Sequence, residues 1–156
     1  MRVIDLPDEA ATRRLGAALG HLVEPGDVIL LVGELGAGKT TLVQALAEAA
    51  GVAEPVTSPT FSLLHELSGH DGITFRHMDL YRLEGDQLAH LGLEEWFEPD
   101  AVVLVEWAER LGAFNPGSYL KIALSHRGEG RSVELSACGE RHEELLAQLT
   151  AGAGAA

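Results

Sequence analysis

Gly33-Glu34-Leu35-Gly36-Ala37-Gly38-Lys39-Thr40 satisfies the pattern GxxxxGK[ST], and this stretch decides the fold class as α/β. Glycines let backbone N–H groups turn inward with no Cβ in the way. Those donors join the N-terminus of a following helix to make an anion cradle. In such a loop the Lys39 ammonium reaches the outer phosphates of a nucleoside triphosphate, and the Thr40 hydroxyl ligates Mg²⁺. The flanking sequence has the required order. Asp27-Val28-Ile29-Leu30-Leu31-Val32 is short and apolar, and it opens after the turn signal Pro25-Gly26, which predicts a buried strand. Leu42, Ala45, Leu46 and Ala49 recur at helical spacing, with Gly51 placed as a C-terminal cap, which predicts a helix directly after the loop.

Lysine is scarce in this chain. Among 11 basic residues only Lys39 and Lys121 are lysines, and one of them occupies the loop. Arginine would not serve there, because a compact ammonium with rotating donors fits between phosphates where a planar guanidinium needs a wider, bidentate site.

A length of 156 residues suits a single domain over residues 1–150, with the Ala/Gly tail at 151–156 expected to fray because it has nothing to bury. The apolar runs are far shorter than the ~20 residues that span a bilayer, and the N-terminus carries no secretory pattern, so the expected location is cytoplasmic with no membrane partner. Cys138 is the single cysteine, which excludes an intramolecular disulfide and a cysteine-based zinc cluster. The 7 histidines form no HExxH-type ligand pattern and are expected to be structural or on the surface. A net charge of −13, with no basic run longer than Arg13-Arg14, makes direct nucleic-acid binding a poor fit; any RNA would be held by a partner.

Along the chain, Val3 to Leu6 suggests a first strand, and Pro7-Asp8-Glu9 opens a helix to about His21 with Ala11, Leu15, Ala18, Leu19 and Leu22 on one face. Pro55 to Thr60 is expected to form an ordered loop. Phe61 to Leu67 and Ile73 to Leu80 are expected as an antiparallel hairpin across Ser68-Gly69-His70-Asp71-Gly72. One or two short helices fall between Gly85 and Phe97, and a second buried strand covers Ala101 to Val105. Weaker strands follow at Ser118 to Ser125 and Arg131 to Ala137, and a helix at Glu140 to Leu149 closes the domain.

A phosphate loop needs an acid beside it to organise Mg²⁺. Glu106 and Asp79 each end a strand candidate, where a carboxylate is costly to desolvate unless it meets a cation or donors. Glu106 is the choice for the metal because its strand is the more completely apolar. Asp79 then orients the attacking water, although an N-cap or an ion pair with Arg82 would also account for it. Ser58 or Thr60 could sense the γ-phosphate, or simply form a turn. Trp107 belongs either to the rim of the site or to the core.

Gly33 to Thr41, Ser58-Pro59-Thr60-Phe61, His77-Met78-Asp79-Leu80-Tyr81-Arg82-Leu83 and Leu104-Val105-Glu106-Trp107 occur in this order, and over nearly the whole chain they resemble the TsaE (YjeE) family of small bacterial ATPases. The resemblance implies a single-domain P-loop NTPase sandwich with a mixed, mostly parallel central sheet flanked by helices. It also implies ATP and Mg²⁺ as cofactors, and a role in forming threonylcarbamoyladenosine in tRNA together with a TsaB–TsaD-type complex that carries the tRNA. By position, Gly36, Ala37, Gly38, Lys39 and Thr41 would bind phosphates, Thr40 and Glu106 would hold Mg²⁺, and Asp79 with Lys39 would be catalytic. Ser58 and Thr60 match the family's switch-like loop, and Trp107 its aromatic beside the site. Glu9 and Arg131 would approach base and ribose. Ala108 departs from the proline that many members carry after the tryptophan.

Two other functions share the loop. A small-molecule kinase needs an acceptor site and an arginine-rich lid, and here the arginines are dispersed. A regulatory nucleotide-binding module without turnover of its own also fits, since no arginine is placed as an internal finger beyond the candidates Arg82, Arg110 and Arg131. A GTPase fits less well: the lone asparagine, Asn115, is followed by Pro116 and makes no guanine-reading NKxD motif.

Overall fold

The computed structural model describes residues 1–34, 36–54, 56, 64–81, 92–112 and 114–154. The expectations for Ser58, Thr60 and Arg82 lie outside them, as does the first part of the expected strand at Phe61. Chain order is β1 (Arg2–Leu6), α1 (Glu9–Leu22), β2 (Val28–Gly33), α2 (Lys39–Ala49), β3 (Leu64–Ser68), β4 (Thr74–Asp79), α3 (Leu93–Trp96), β5 (Ala101–Glu106), β6 (Tyr119–Arg127), β7 (Gly130–Cys138) and α4 (Glu140–Gly154).

The strands form one seven-stranded sheet in the order β1-β7-β6-β2-β5-β4-β3. Strands β6, β2, β5 and β4 pair in parallel at its centre, while at one side β7 pairs antiparallel with both β6 and β1, and at the other β3 pairs antiparallel with β4. This is the mixed α/β sandwich expected, with the parallel pairing confined to the middle. Burial explains the division. Every residue of β5 is buried, as a strand covered on both faces requires, whereas β1 and β3 alternate toward solvent. The expected hairpin is present: β3 and β4 pair antiparallel in a register from Leu64↔Met78 to Ser68↔Thr74.

Side chains pack on both faces of the sheet. On one face Ile29, Leu31, Leu104 and Ile122 meet Leu15 and Leu19 of α1, Leu42 and Leu46 of α2, and Leu145 and Leu149 of α4. On the other, Leu30, Met78, Val103 and Val105 lie under Ala108 and Leu111.

Helix α1 starts where the Asp8 side chain accepts the Ala11 N–H at 2.8 Å. It then packs against α2 at unusually close range. A Cβ on Gly16 would stand 2.5 Å from the Leu42 carbonyl oxygen, and one on Gly20 would stand 2.3 Å from that of Leu46. Two glycines a helical turn apart thus let the backbones touch, and this contact fixes α2, whose first turn carries the phosphate loop. Helix α4 continues past Leu149 to Gly154, and Thr150 Oγ1 donates to the Leu146 carbonyl at 2.9 Å.

At the opposite end of β2 a buried polar network ties α4 to the sheet. Arg141 donates to both oxygens of Asp27, at 3.0 and 2.9 Å, and Asp27 also accepts the Glu24 N–H. His142 Nε2 accepts the Val28 N–H at 2.9 Å, and its Nδ1 lies 2.7 Å from Ser118 Oγ. This pattern needs a neutral ring, with Nε2 unprotonated. Burial pushes the His142 pKa below its ordinary value, Asp27 opposes that shift and Arg141 reinforces it.

The stability this ring supplies is therefore present above pH ~6.5, the unfolded value, and is lost as the pH falls through the lowered folded one. Thermal melts at neutral pH and below pH 6 should show His142→Gln less stable than wild type at neutral pH and flatter with pH. Parallel pH profiles for the two proteins would refute this.

Candidate functional site

The site sits at the C-terminal ends of the parallel strands, the edge where open α/β sheets bind ligands. The loop after β2 needs its glycines. Gly33, Gly36 and Gly38 have φ of 143°, 78° and 105°, and a Cβ on Gly33 would come within 2.3 Å of the Leu124 carbonyl oxygen on β6. Ala37 is buried, and Gly38 caps α2, so the first amides of the helix point into the loop.

Lys39 opens α2 and is itself buried. Its ammonium donates to the Gly33 carbonyl and, at 3.1 Å, to that of Glu34, and it stands 4.0 Å from the centroid of the Trp107 ring. Burial pushes its pKa down, while the carboxylates of Glu109, Glu106 and Asp79 oppose the shift. A desolvated cation at a helix N-terminus is suited to a polyanion, whose charge would complete its pairing.

Strand register brings the acids together. Asp79, the last residue of β4, is the Cα partner of Glu106, the last residue of β5, and Glu106 faces the start of α2. There its Oε1 accepts the Thr40 hydroxyl at 3.1 Å. Thr40 and Glu106 are hard oxygen donors side by side at the phosphate loop. That set fits Mg²⁺, which keeps waters and phosphate oxygens and asks for only one or two protein ligands. No group of three or more His, Cys, Asp or Glu able to hold a metal unaided occurs among the described residues. Asp79 Oδ1 accepts the Tyr81 N–H at 3.0 Å, which fixes the turn leaving β4.

Trp107 answers the choice between rim and core with some of each. Its backbone has φ 58°, a left-handed conformation that bulky residues rarely adopt, and its ring packs against Tyr81 at 4.9 Å between centroids while lying over Lys39.

On the other side of the loop a cavity of about 370 Å³ is lined by Glu9, Thr12, Gly36, Thr41 and Arg131, among others. Arg131 Nη2 donates to the Gly36 carbonyl at 3.1 Å. Glu9, Thr41 and Arg131 thus line one cavity with Gly36 and Gly38 of the phosphate loop.

Two residues of the site are not singled out by the sequence. Glu109 Oε2 accepts the Gly33 N–H at 3.4 Å, a contact that depends on the turn after Trp107 and leaves no sequence signal. His77, fully buried, places Nε2 2.6 Å from Glu106 Oε2. Its signal is the spacing His77-x-Asp79, since alternate strand residues share a face.

The family model for "Threonylcarbamoyl adenosine biosynthesis protein TsaE" matches residues 6–133, a span that holds the phosphate loop and both acids. The chain belongs to the TsaE family. Proteins named tRNA threonylcarbamoyladenosine biosynthesis protein TsaE are 40% identical to it in Nostoc sp., over 94% of this chain and 93% of the relative, and 38% identical in Bacillus subtilis, over 96% and 92%. The crystal structure of Bacillus subtilis YdiB superposes with a TM-score of 0.79 at 32% identity, covering 97% of this chain and 95% of that one. No helix among the described residues is long and apolar enough to cross a membrane.

Proposed function

We propose that this protein binds Mg·ATP in the loop Gly33–Thr40 and hydrolyses it in support of threonylcarbamoyladenosine formation in tRNA, acting in the cytoplasm with a TsaB–TsaD-type complex. The observation that carries the reading is the convergence of Lys39, Thr40, Glu106 and Asp79 on one loop, in a chain of the TsaE family.

Each residue then has a part. The loop amides and Lys39 neutralise phosphate charge. Thr40 and Glu106 hold Mg²⁺, which when bound draws charge from the phosphates. Asp79 accepts the proton of the attacking water and keeps it oriented. Trp107 and Tyr81 limit solvent access above Lys39. Arg131 is tied to the Gly130 and Gly36 carbonyls, on the Glu9 side of the loop rather than the Asp79 side. It therefore suits nucleotide positioning better than transition-state stabilisation. The reading assigns the stabilising charge to an activating contact from the partner proteins, and the acidic surface of this chain leaves tRNA binding to them.

Intrinsic turnover is accordingly slow, and adding the TsaB–TsaD complex raises it by at least an order of magnitude, as in-trans activation does elsewhere. Steady-state phosphate release with and without the complex tests this; equal rates would sink partner activation. Reconstituting the tRNA modification with and without this chain tests the pathway assignment separately. Phosphate release without an added acceptor separates hydrolysis from kinase chemistry.

A further inference from the structure

We infer that His77 is a positioning residue that locks the Glu106 carboxylate in the orientation the metal site needs, an inference that rests on the proposed Mg·ATP function. Glu106 divides its two oxygens between two elements. Oε1 takes the Thr40 hydroxyl from α2, and Oε2 faces His77 Nε2 from β4 at 2.6 Å. Both side chains are buried, Glu106 at 2% exposure and His77 at 0%. The geometry follows from the register: His77 pairs with Leu104, one alternation below the Asp79↔Glu106 level, so the ring lies beneath the carboxylate on the face toward α2. A carboxylate with one oxygen held by an N–H from below cannot rotate without breaking a buried, charge-assisted hydrogen bond.

The rest of the ring argues against a packing role alone. His77 Nδ1 is a buried polar atom with no hydrogen-bond partner among the described residues. An apolar side chain of similar size would fill this position without leaving a polar atom unmet. The contact that compensates is the one with Glu106. The orienting group therefore sits on the same strand as Asp79, two residues earlier, and a single strand both supplies the proton-accepting acid and aims the metal-binding one.

The test compares His77→Gln with His77→Asn. Both are polar amides, but the glutamine donor reaches the place of Nε2, whereas the shorter asparagine donor stops near Nδ1. The affinity for ATP is measured by calorimetry with Mg²⁺ and again with excess EDTA, and folding by thermal melting. His77→Asn should lose on the order of tenfold in the Mg²⁺-dependent gain in ATP affinity, the scale of removing an outer-shell partner, and should keep the EDTA affinity. His77→Gln should retain most of the Mg²⁺-dependent gain. Equal losses in the two variants, or a loss of the same size in EDTA, would make His77 a packing residue and overturn the inference. If the wild-type protein shows no Mg²⁺-dependent gain, the proposed function itself fails at the metal and takes the inference with it.

Discussion

Lys39→Met should weaken ATP binding on the order of ten- to a hundredfold while leaving the fold intact. The size follows from the interaction removed: a charge-assisted contact from a buried ammonium to phosphate is worth about 1.5–3 kcal/mol. The unchanged fold follows from the free protein. Burial depresses the Lys39 pKa, so the charged form strains the folded state more than the unfolded one. Methionine fills much the same space against Trp107 without that cost, which offsets the lost contacts to the Gly33 and Glu34 carbonyls, so the melting temperature should hold. Calorimetric titration with ATP and a thermal melt of the same sample check both halves. Wild-type affinity in Lys39→Met would remove the phosphates from this loop. Lost affinity with a collapsed melting temperature would make Lys39 a structural residue.

The parts of this site that are legible in sequence are those whose meaning is local. A phosphate loop is written in consecutive residues, because glycine φ values and helix-start amides do its chemistry. Glu106 is legible because a carboxylate closing an unbroken apolar strand is costly to bury unless a cation or a donor meets it there. The central strands β2 and β5 and the hairpin β3–β4 follow from runs of apolar residues and a turn. What escapes depends on register. That His77 lies beneath Glu106 needs β4 beside β5 with Asp79 opposite Glu106, and no single-strand pattern states that pairing. The close helix contact at Gly16 and Gly20 is of the same kind, since the partners are carbonyls of another helix. So is the network of Asp27, Arg141 and His142, whose ends are far apart in the chain. Local sequence marks the groups suited to touch a ligand, and tertiary pairing places the groups that hold them still.

That division makes Asp79 the most informative position for turnover. Asp79→Asn should leave ATP affinity unchanged or slightly tighter and lower partner-stimulated hydrolysis by about 10²–10⁴-fold, the range of a lost general base. Asparagine keeps the oxygen that accepts the Tyr81 N–H, so the turn leaving β4 survives, and the variant isolates charge and basicity. Affinity does not fall, because removing a negative charge near a polyphosphate relieves repulsion. Glu106→Gln should give the contrasting result, losing the Mg²⁺-dependent part of ATP affinity first, because its Oε1 sits at the Thr40 hydroxyl. On the proposed function, two acids paired across adjacent strands should thus separate by the quantity each controls, turnover for one and metal-dependent binding for the other. Single-turnover hydrolysis with the partner complex, at saturating ATP, measures the first. Wild-type rates in Asp79→Asn would transfer the water-orienting role to another group.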